Sequence, residues 1–354
     1  MRERLGGDDP VGLSLRIGAE QAREMAEAPG LVEDLRSALK DAGAKVVGAN
    51  AFPISAPVDG IYKDGIYRPD WRRAERVDAT LKIAGAIAQL VDEGQRAVLT
   101  TLTGTCRMWP GGESIEVEED CVDNILTCAE GLEEISSATG RNIVLALEPE
   151  PFTTAETCFE CVAYFQEGLL DGSRAEVARR RLGVNLDLSH CAVMFEDPAE
   201  VMSVLSGEGV NIFGLHVSAA LKAVKPGEKL AELREFEEPV YLHQVTAVDA
   251  SRNIGFRSPD LGEFLALPAR EMDRLAEARV HFHVPVYAGE IGGLATTADV
   301  TWHGVRTARK KKYTDLFVVE TYTWPQVAGR EGAEVEVAEG IARELRKARE
   351  VLGF

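Results

Sequence analysis

At 354 residues the chain is long for one ordinary domain, yet α/β barrels reach this size as a single unit. Its composition, 45% hydrophobic and 27% charged, is that of a soluble globular protein. Thirty-nine Lys and Arg against 58 Asp and Glu leave a net charge of −19, which repels nucleic-acid phosphate and gives no polybasic route to an anionic membrane.

In chain order, short apolar runs alternate with stretches rich in Ala, Glu, Arg and Leu. The N-terminal MRERLGGDDP has no apolar core of the kind a signal peptide needs. The runs cover 11–18, 44–52, 96–104, 142–150, 181–189, 211–219, 279–286 and 315–323, and helices are predicted over 20–42, 74–94, 119–139, 155–179, 197–208 and 331–352. Strand–helix alternation with nearly continuous apolar strands argues a parallel sheet covered by helices. Eight such strands make a (β/α)₈ TIM barrel the leading architecture, as one domain over 1–354. A doubly wound sheet is second, because no strand-to-helix turn carries a G-x-G-x-x-G phosphate fingerprint. Two stretches, 53–73 and about 220–278, fit neither strand nor helix. They read as long loops after strand ends, where Tyr62, Tyr67, Trp71, Tyr241 and His243 could cover a pocket. No apolar run approaches the roughly 18–20 residues that span a bilayer, so no membrane insertion and a cytoplasmic location are expected. Six cysteines are sparse for this length, and free thiols are expected. Cys158 and Cys161 form C-x-x-C without a second ligand pair and read as buried helix thiols.

Side chains of a strand alternate between its faces. In VLALEPE, Leu145 and Leu147 share the face toward the helices, which leaves Val144, Ala146 and Glu148 inward. The same parity sends Asp187, His216 and Glu320 inward near the ends of three other strands, and His281 and His283 inward on a fifth. Three converging carboxylates repel strongly where water is scarce, and a divalent cation resolves this. A carboxylate-rich set with one imidazole suits Mn, Mg, Co or Zn. Asp187 also suits a helix N-cap. His190, three residues on, falls in the strand-to-helix loop and fits a substrate hydroxyl or a carboxylate. Asn50, Arg107 and Trp324 are further candidates for substrate contact, with His281 and His283. Glu150 shares the parity of Glu148 one step further out, where it would line the rim, orient a ligand or face water.

At these residues the sequence resembles the xylose isomerase-like TIM-barrel superfamily, with its sugar-phosphate isomerases and ketose 3-epimerases. The shared pattern is a Glu ending LALE (Glu148), an Asp in D-x-x-H (Asp187 with His190), a His on the next strand (His216) and a Glu on the last (Glu320). The interval from His216 to Glu320 is longer than in the compact epimerases. The blocks ANAFP, YRPDW, LALEPEP, FEDPAE, YLHQV, VHFHVPV and VETYTW also resemble the EboE family of metabolite traffic proteins. Members of that family begin with a strand-bearing segment upstream of GLSLR, so the resemblance leaves two readings, a misplaced start or a barrel with an altered or missing first strand. It also implies that one of the eight strands is accessory, with 11–18 and 279–286 the candidates.

The resemblance implies a metal held by Glu148, Asp187, His216 and Glu320, with Glu148 and Glu320 as proton-transfer residues. The substrate would be a small polyhydroxylated or α-hydroxycarbonyl metabolite in a secondary-metabolite operon, and the reaction isomerisation or epimerisation. The alternative is a metal-containing carrier that binds a metabolite without chemistry. A DNA-repair endonuclease on the same fold would need more histidines and a basic groove, against six histidines and a charge of −19. A homo-oligomer is left open.

Overall fold

The apolar runs become strands because their side chains are buried on both faces, as covered parallel sheets require. In chain order the strands are β1 (Val11–Arg16), β2 (Ala44–Asn50), β3 (Arg96–Leu102), β4 (Asn142–Glu148), β5 (Leu182–Asp187), β6 (Ile212–Val217), β7 (Ala219–Val224), β8 (Val245–Val248), β9 (Ile254–Ser258), β10 (Glu277–Val284), β11 (Glu290–Ile291), β12 (Leu294–Thr296) and β13 (Phe317–Val319). The computed structural model describes residues 2–5, 10–52, 54, 59–330, 332–333 and 335–354. Seven strands form one parallel sheet in the order β1-β2-β3-β4-β5-β6-β13. Backbone contacts divide the chain into two compact units, Met1–Asn185 with Leu205–Gly214, and Leu186–Val204 with Leu215–Phe354.

In the first unit, β3 and β4 pair without a register shift from Arg96↔Asn142 to Leu102↔Glu148. Gly48 lets β2 and β3 approach, since a Cβ there would lie 2.0 Å from the Val98 carbonyl oxygen. The helices Ala74–Ala88 and Ile115–Thr139 match predicted segments. The predicted helix over 20–42 is two helices, Ala19–Glu27 and Pro29–Asp41, because Pro29 opens the second at its first turn. Cys158 and Cys161 are buried free thiols on the helix Cys158–Ala163, which Thr157 and Glu160 close with a capping box.

The second unit corrects two expectations. The run at 279–286 is not a barrel strand. It is β10 of a separate six-stranded sheet, ordered β11-β12-β7-β10-β8-β9, and it pairs antiparallel with both β7 and β8. The accessory strand is therefore the one at 279–286, and the parallel strands number seven. The stretch 220–278 is not a loop. It holds β8, β9 and most of β7, with the short helices Leu230–Arg234, Leu261–Leu265 and Ala269–Met272. Phe236, Phe264, Phe282 and Trp302 pack in its core.

The C-terminal helix Val337–Leu352 brings Glu344 into that unit's interior, fully buried. Gly340 permits the packing, since a Cβ there would lie 2.1 Å from the Trp324 ring. Glu344 accepts hydrogen bonds from Val286 N–H (3.1 Å), the Thr321 hydroxyl (2.6 Å) and Trp324 Nε1–H (2.8 Å). Burial pushes its pKa up to about 7. A folded pKa raised above the ordinary glutamate value means that the folded chain holds a proton the unfolded chain has lost. This group's contribution therefore falls as pH rises from about 4.5 to about 7, by about 3 kcal/mol. Glu344→Gln removes the titration while adding a constant offset from the altered Trp324 bond. Urea unfolding of both proteins at pH 4.5 and pH 8 should show the difference shifting toward the variant at pH 8; an unchanged difference would show that Glu344 does not titrate there.

Candidate metal centre

Asp187 is the last residue of β5 and the N-cap of the helix Leu188–Val193. Its two oxygens have different surroundings. Oδ1 accepts from Ser189 N–H (2.7 Å), the Ser189 hydroxyl (2.7 Å), His190 N–H (3.3 Å) and the Ser218 hydroxyl (2.5 Å). Oδ2 is buried and has no hydrogen-bond partner among the described residues. Three imidazole nitrogens face it: His283 Nε2 at 3.6 Å, His216 Nδ1 at 3.7 Å and His190 Nε2 at 3.9 Å. Burial alone would raise the pKa of Asp187. His190, His283 and His216 outweigh it and hold the pKa well below the usual carboxylate value, so the group stays ionised. The cap reading is realised on Oδ1, and the ligand reading falls to Oδ2.

His216 lies on β6 opposite Val318 of β13. Its Nδ1 stands 3.0 Å from Oε2 of Glu320, which follows β13 and keeps 18% of its side chain exposed. Asp187, His216 and Glu320 each offer one ligand atom, and those atoms lie within 4.8 Å of one another.

A second group adjoins the first. His190, on the helix after β5, and His281 and His283, both on β10, are buried and offer nitrogens within 4.8 Å of one another. His190 Nε2 lies 3.0 Å from His281 Nε2. Burial lowers the pKa of His281 and of His283, which favours the neutral ring in each, and His283 Nδ1 donates to the Glu320 carbonyl (2.9 Å), so its Nε2 carries a lone pair. The Tyr322 ring covers His283 at 4.5 Å between centroids, and Tyr241 packs on Tyr322 at 5.0 Å. His243 does not cover a pocket: it is buried and bonded to the His281 carbonyl and to Glu238.

Of the other expected residues, Glu148 ends β4 in the first unit and is buried. Glu150 is buried as well and accepts from the Tyr67 hydroxyl (2.9 Å), so it does not face water. Trp71 is a core residue whose indole donates to Thr101 and to the Leu102 carbonyl. Asn50 ends β2, and its buried Oδ1 has no hydrogen-bond partner among the described residues. Arg107 is clamped by Glu156 (3.1 Å), Glu160 (2.7 Å) and the Thr154 carbonyl (2.6 Å), so its charge is neutralised locally. Trp324 is buried with its one donor engaged by Glu344. In the stretch 53–73, residues 53 and 55–58 lie outside the described residues. The roles of Ser189 and Ser218 escaped the sequence reading, although each lies two residues beyond an expected ligand.

No helix among the described residues is long and apolar enough to cross a membrane. No family model matches the chain, and no curated protein sequence matches it. Solved structures do. A D-psicose 3-epimerase in the presence of D-fructose is 14% identical, with a TM-score of 0.51 over 99% of this chain and 91% of that one. A D-tagatose 3-epimerase-like protein is 13% identical, with a TM-score of 0.49 over 97% and 89%. The IolI protein with a bound zinc atom is 14% identical, with a TM-score of 0.49 over 99% and 90%. At such identities likeness speaks of fold alone, and the fold is an α/β TIM barrel.

Proposed function

We propose that the protein is a divalent-metal-dependent enzyme that moves a proton at the carbon beside a carbonyl of a small polyhydroxylated or α-hydroxycarbonyl metabolite, as an isomerase or epimerase does. The observation that carries this reading is the bare, buried Oδ2 of Asp187 among imidazoles and beside Glu320. A buried ionised oxygen without a hydrogen bond is costly unless a cation meets it. The residues fit such an ion. Asp187 and Glu320 would supply oxygens and His216 a nitrogen, and Glu148 is proposed as the fourth ligand. This mixed set suits Mn, Mg, Co or Zn.

When bound, the ion would supply Lewis acidity, polarising a substrate carbonyl and steadying the negative charge that grows on its oxygen. The chain's own residues do the rest. Glu320, partly exposed and with Oε2 3.0 Å from His216 Nδ1, takes a proton from the adjacent carbon or returns one. Glu148 acts as its counterpart, so that one carboxylate removes the proton and the other delivers it; delivery to the opposite face gives epimerisation. Asp187, held by four donors on Oδ1, is fixed in place as the anionic anchor. Asn50, with its unpaired buried oxygen, is proposed to receive a substrate hydroxyl. The blocks that resemble those of EboE proteins support placing the reaction in a secondary-metabolite traffic operon, and a cytoplasmic location is part of the proposal.

The test is metal analysis of protein made in metal-supplemented medium, followed by incubation of the loaded protein with a panel of ketoses in D₂O. Deuterium should enter the carbon beside the carbonyl, and a chelator should abolish the exchange. Absence of any divalent metal would sink the proposal. Metal and ketose binding without exchange would favour the carrier instead.

A further inference from the structure

A set of side chains beyond the C-terminal ends of β2, β3 and β4, all in the first unit, has no part in the chemistry proposed above. Trp109, in the loop after β3, is buried. Its indole N–H donates to Asp64 Oδ2 (2.6 Å) on the short 3₁₀ turn Lys63–Tyr67 that follows β2. Tyr67, from the same turn, is fully buried and meets the Trp109 ring edge to face at 6.4 Å between centroids. The Tyr67 hydroxyl donates to Glu150 (2.9 Å), two residues past the end of β4. The indole is thus fixed through three loops before any ligand arrives. Two guanidiniums flank it: the Arg68 carbon lies 4.1 Å from the ring centroid and the Arg72 carbon 5.5 Å. Attraction to the ring face holds a guanidinium without engaging its N–H groups in hydrogen bonds. Arg68 makes no hydrogen bond among the described residues, since Asp64 Oδ2, at 3.9 Å, is too far to accept one. Arg72 donates through Nε to Asp70 (2.7 Å), and its terminal nitrogens make no hydrogen bond among the described residues. The Arg68 side chain is 62% exposed, so its donors are within reach of a solute.

We propose that Arg68, seated on Trp109, binds an anionic group, a carboxylate or a phosphate monoester, carried by the metabolite, with Arg72 as a second donor. The planar guanidinium matches the paired oxygens of either group and grips them with two parallel bonds. Seating on a fixed indole restricts the arginine beforehand, so less side-chain freedom is lost on binding. Three arginines fall within the six residues 68–73 of a chain whose net charge is −19, which makes this loop a local positive spot. A small anion suits such a spot, whereas a long polyanion would meet the acidic surface around it. The place fits as well, because barrel enzymes bind substrate on the loops that follow the C-terminal ends of their strands. Glu150, which holds Tyr67, is two residues from Glu148, so contacts run from Arg68 to the strand that carries a proposed proton-transfer carboxylate. A side chain that merely covered the indole would need its apolar stem and not its charge, and methionine would serve as well.

This inference deepens the reading above and rests on it only for the metabolite that bears the anion. Its test is calorimetry of the full chain, in metal-supplemented buffer, with D-fructose, D-fructose 6-phosphate, D-fructuronate and inorganic phosphate. At least one of the charged ketoses should bind the wild type about 10–100-fold more tightly than D-fructose, as charge-assisted hydrogen bonds imply. Added salt should shrink that advantage. Arg68→Met should keep the wild-type circular dichroism and lose the advantage, so that all three ketoses bind alike. Arg68→Lys should keep part of it, since an ammonium retains the charge without the fork. A preference for either charged ketose upholds the subsite and names the group. Equal affinity for charged and neutral ketoses, or an advantage undiminished in Arg68→Met, would overturn it. Inorganic phosphate that binds the wild type and not Arg68→Met, with no ketose bound by either, would uphold the anion subsite and overturn the ketose reading. Ketose binding and proton exchange with no preference for charge would do the reverse. Absence of binding by every probe would overturn the subsite, and the metal analysis would still judge the centre at Asp187.

Discussion

Asp187→Asn should fold normally and lose its metal. The asparagine keeps the oxygen that caps the helix Leu188–Val193 and accepts from Ser189, His190 and Ser218. Its amide nitrogen takes the place of Oδ2 and can donate toward the lone pair of His283 Nε2. A buried charge without a hydrogen bond is thereby replaced by a neutral donor, so the metal-free variant should melt no lower than the metal-free wild type. Divalent ions should then separate the two proteins. Changing residues that merely support a ligand costs about 10–100-fold in metal affinity, so losing an anionic ligand outright should cost at least about 100-fold. At an ion concentration of about 1,000 times its dissociation constant the wild type gains about 4 kcal/mol of stability, and a variant at least about 100-fold weaker should gain no more than about 1.4 kcal/mol. Thermal melts with and without added manganese or zinc, with elemental analysis, make the measurement. Equal metal content in the two proteins would remove Asp187 from the ligand set.

Strand parity singles out Glu148, Asp187, His216, Glu320, His281 and His283 in the sequence for a physical reason. A buried strand alternates faces whatever its neighbours do, so the phase of its large apolar residues places the polar one at its end. Leu145 and Leu147 set the phase for Glu148, and Phe213 and Leu215 set it for His216. Direction is not legible in the same way. The run around His281 is buried along nearly its whole length, like β3 or β5, and a two-face-buried strand reads alike whether its partners run parallel or antiparallel. It therefore counts as an eighth barrel strand until the pairings with β7 and β8 are seen. β8 is only four residues long and β9 begins with exposed residues, so neither carries a strong periodic signal. Two facts about Asp187 are also invisible in sequence. One is that Ser218, thirty-one residues away, shares Oδ1; the other is that Oδ2 is bare. Glu344 is hidden differently, because on an amphipathic C-terminal helix a glutamate reads as solvent-facing until Trp324 and Thr321 are found against it.

Glu320→Gln separates an enzyme from a carrier. Glutamine preserves the shape of the side chain and can present an amide oxygen where the native Oε2 lies, 3.0 Å from His216 Nδ1. The amide oxygen also remains a weak ligand, and Asp187 and His216 still face the ion, with Glu148 the further proposed ligand. Metal should therefore be largely retained. Proton transfer should not, because an amide has no basicity at neutral pH. Loss of a positioned general base costs about 10²–10⁴-fold in rate, so kcat should fall by that factor with KM changed far less. Deuterium wash-in to the carbon beside the carbonyl should fall in parallel, since it reports proton removal even when product is not released. Ketose binding measured by calorimetry should survive. Full exchange in the variant would transfer the base role away from Glu320, to Glu148 or to a bound water. A wild type and variant that bind metabolite equally well, neither exchanging a proton, would make the barrel a carrier, with both glutamates serving the ion alone. Because stripping the ion also reduces exchange, the elemental analysis must accompany every rate: only a variant that holds its metal and has lost its turnover assigns the proton to the Glu320 carboxylate.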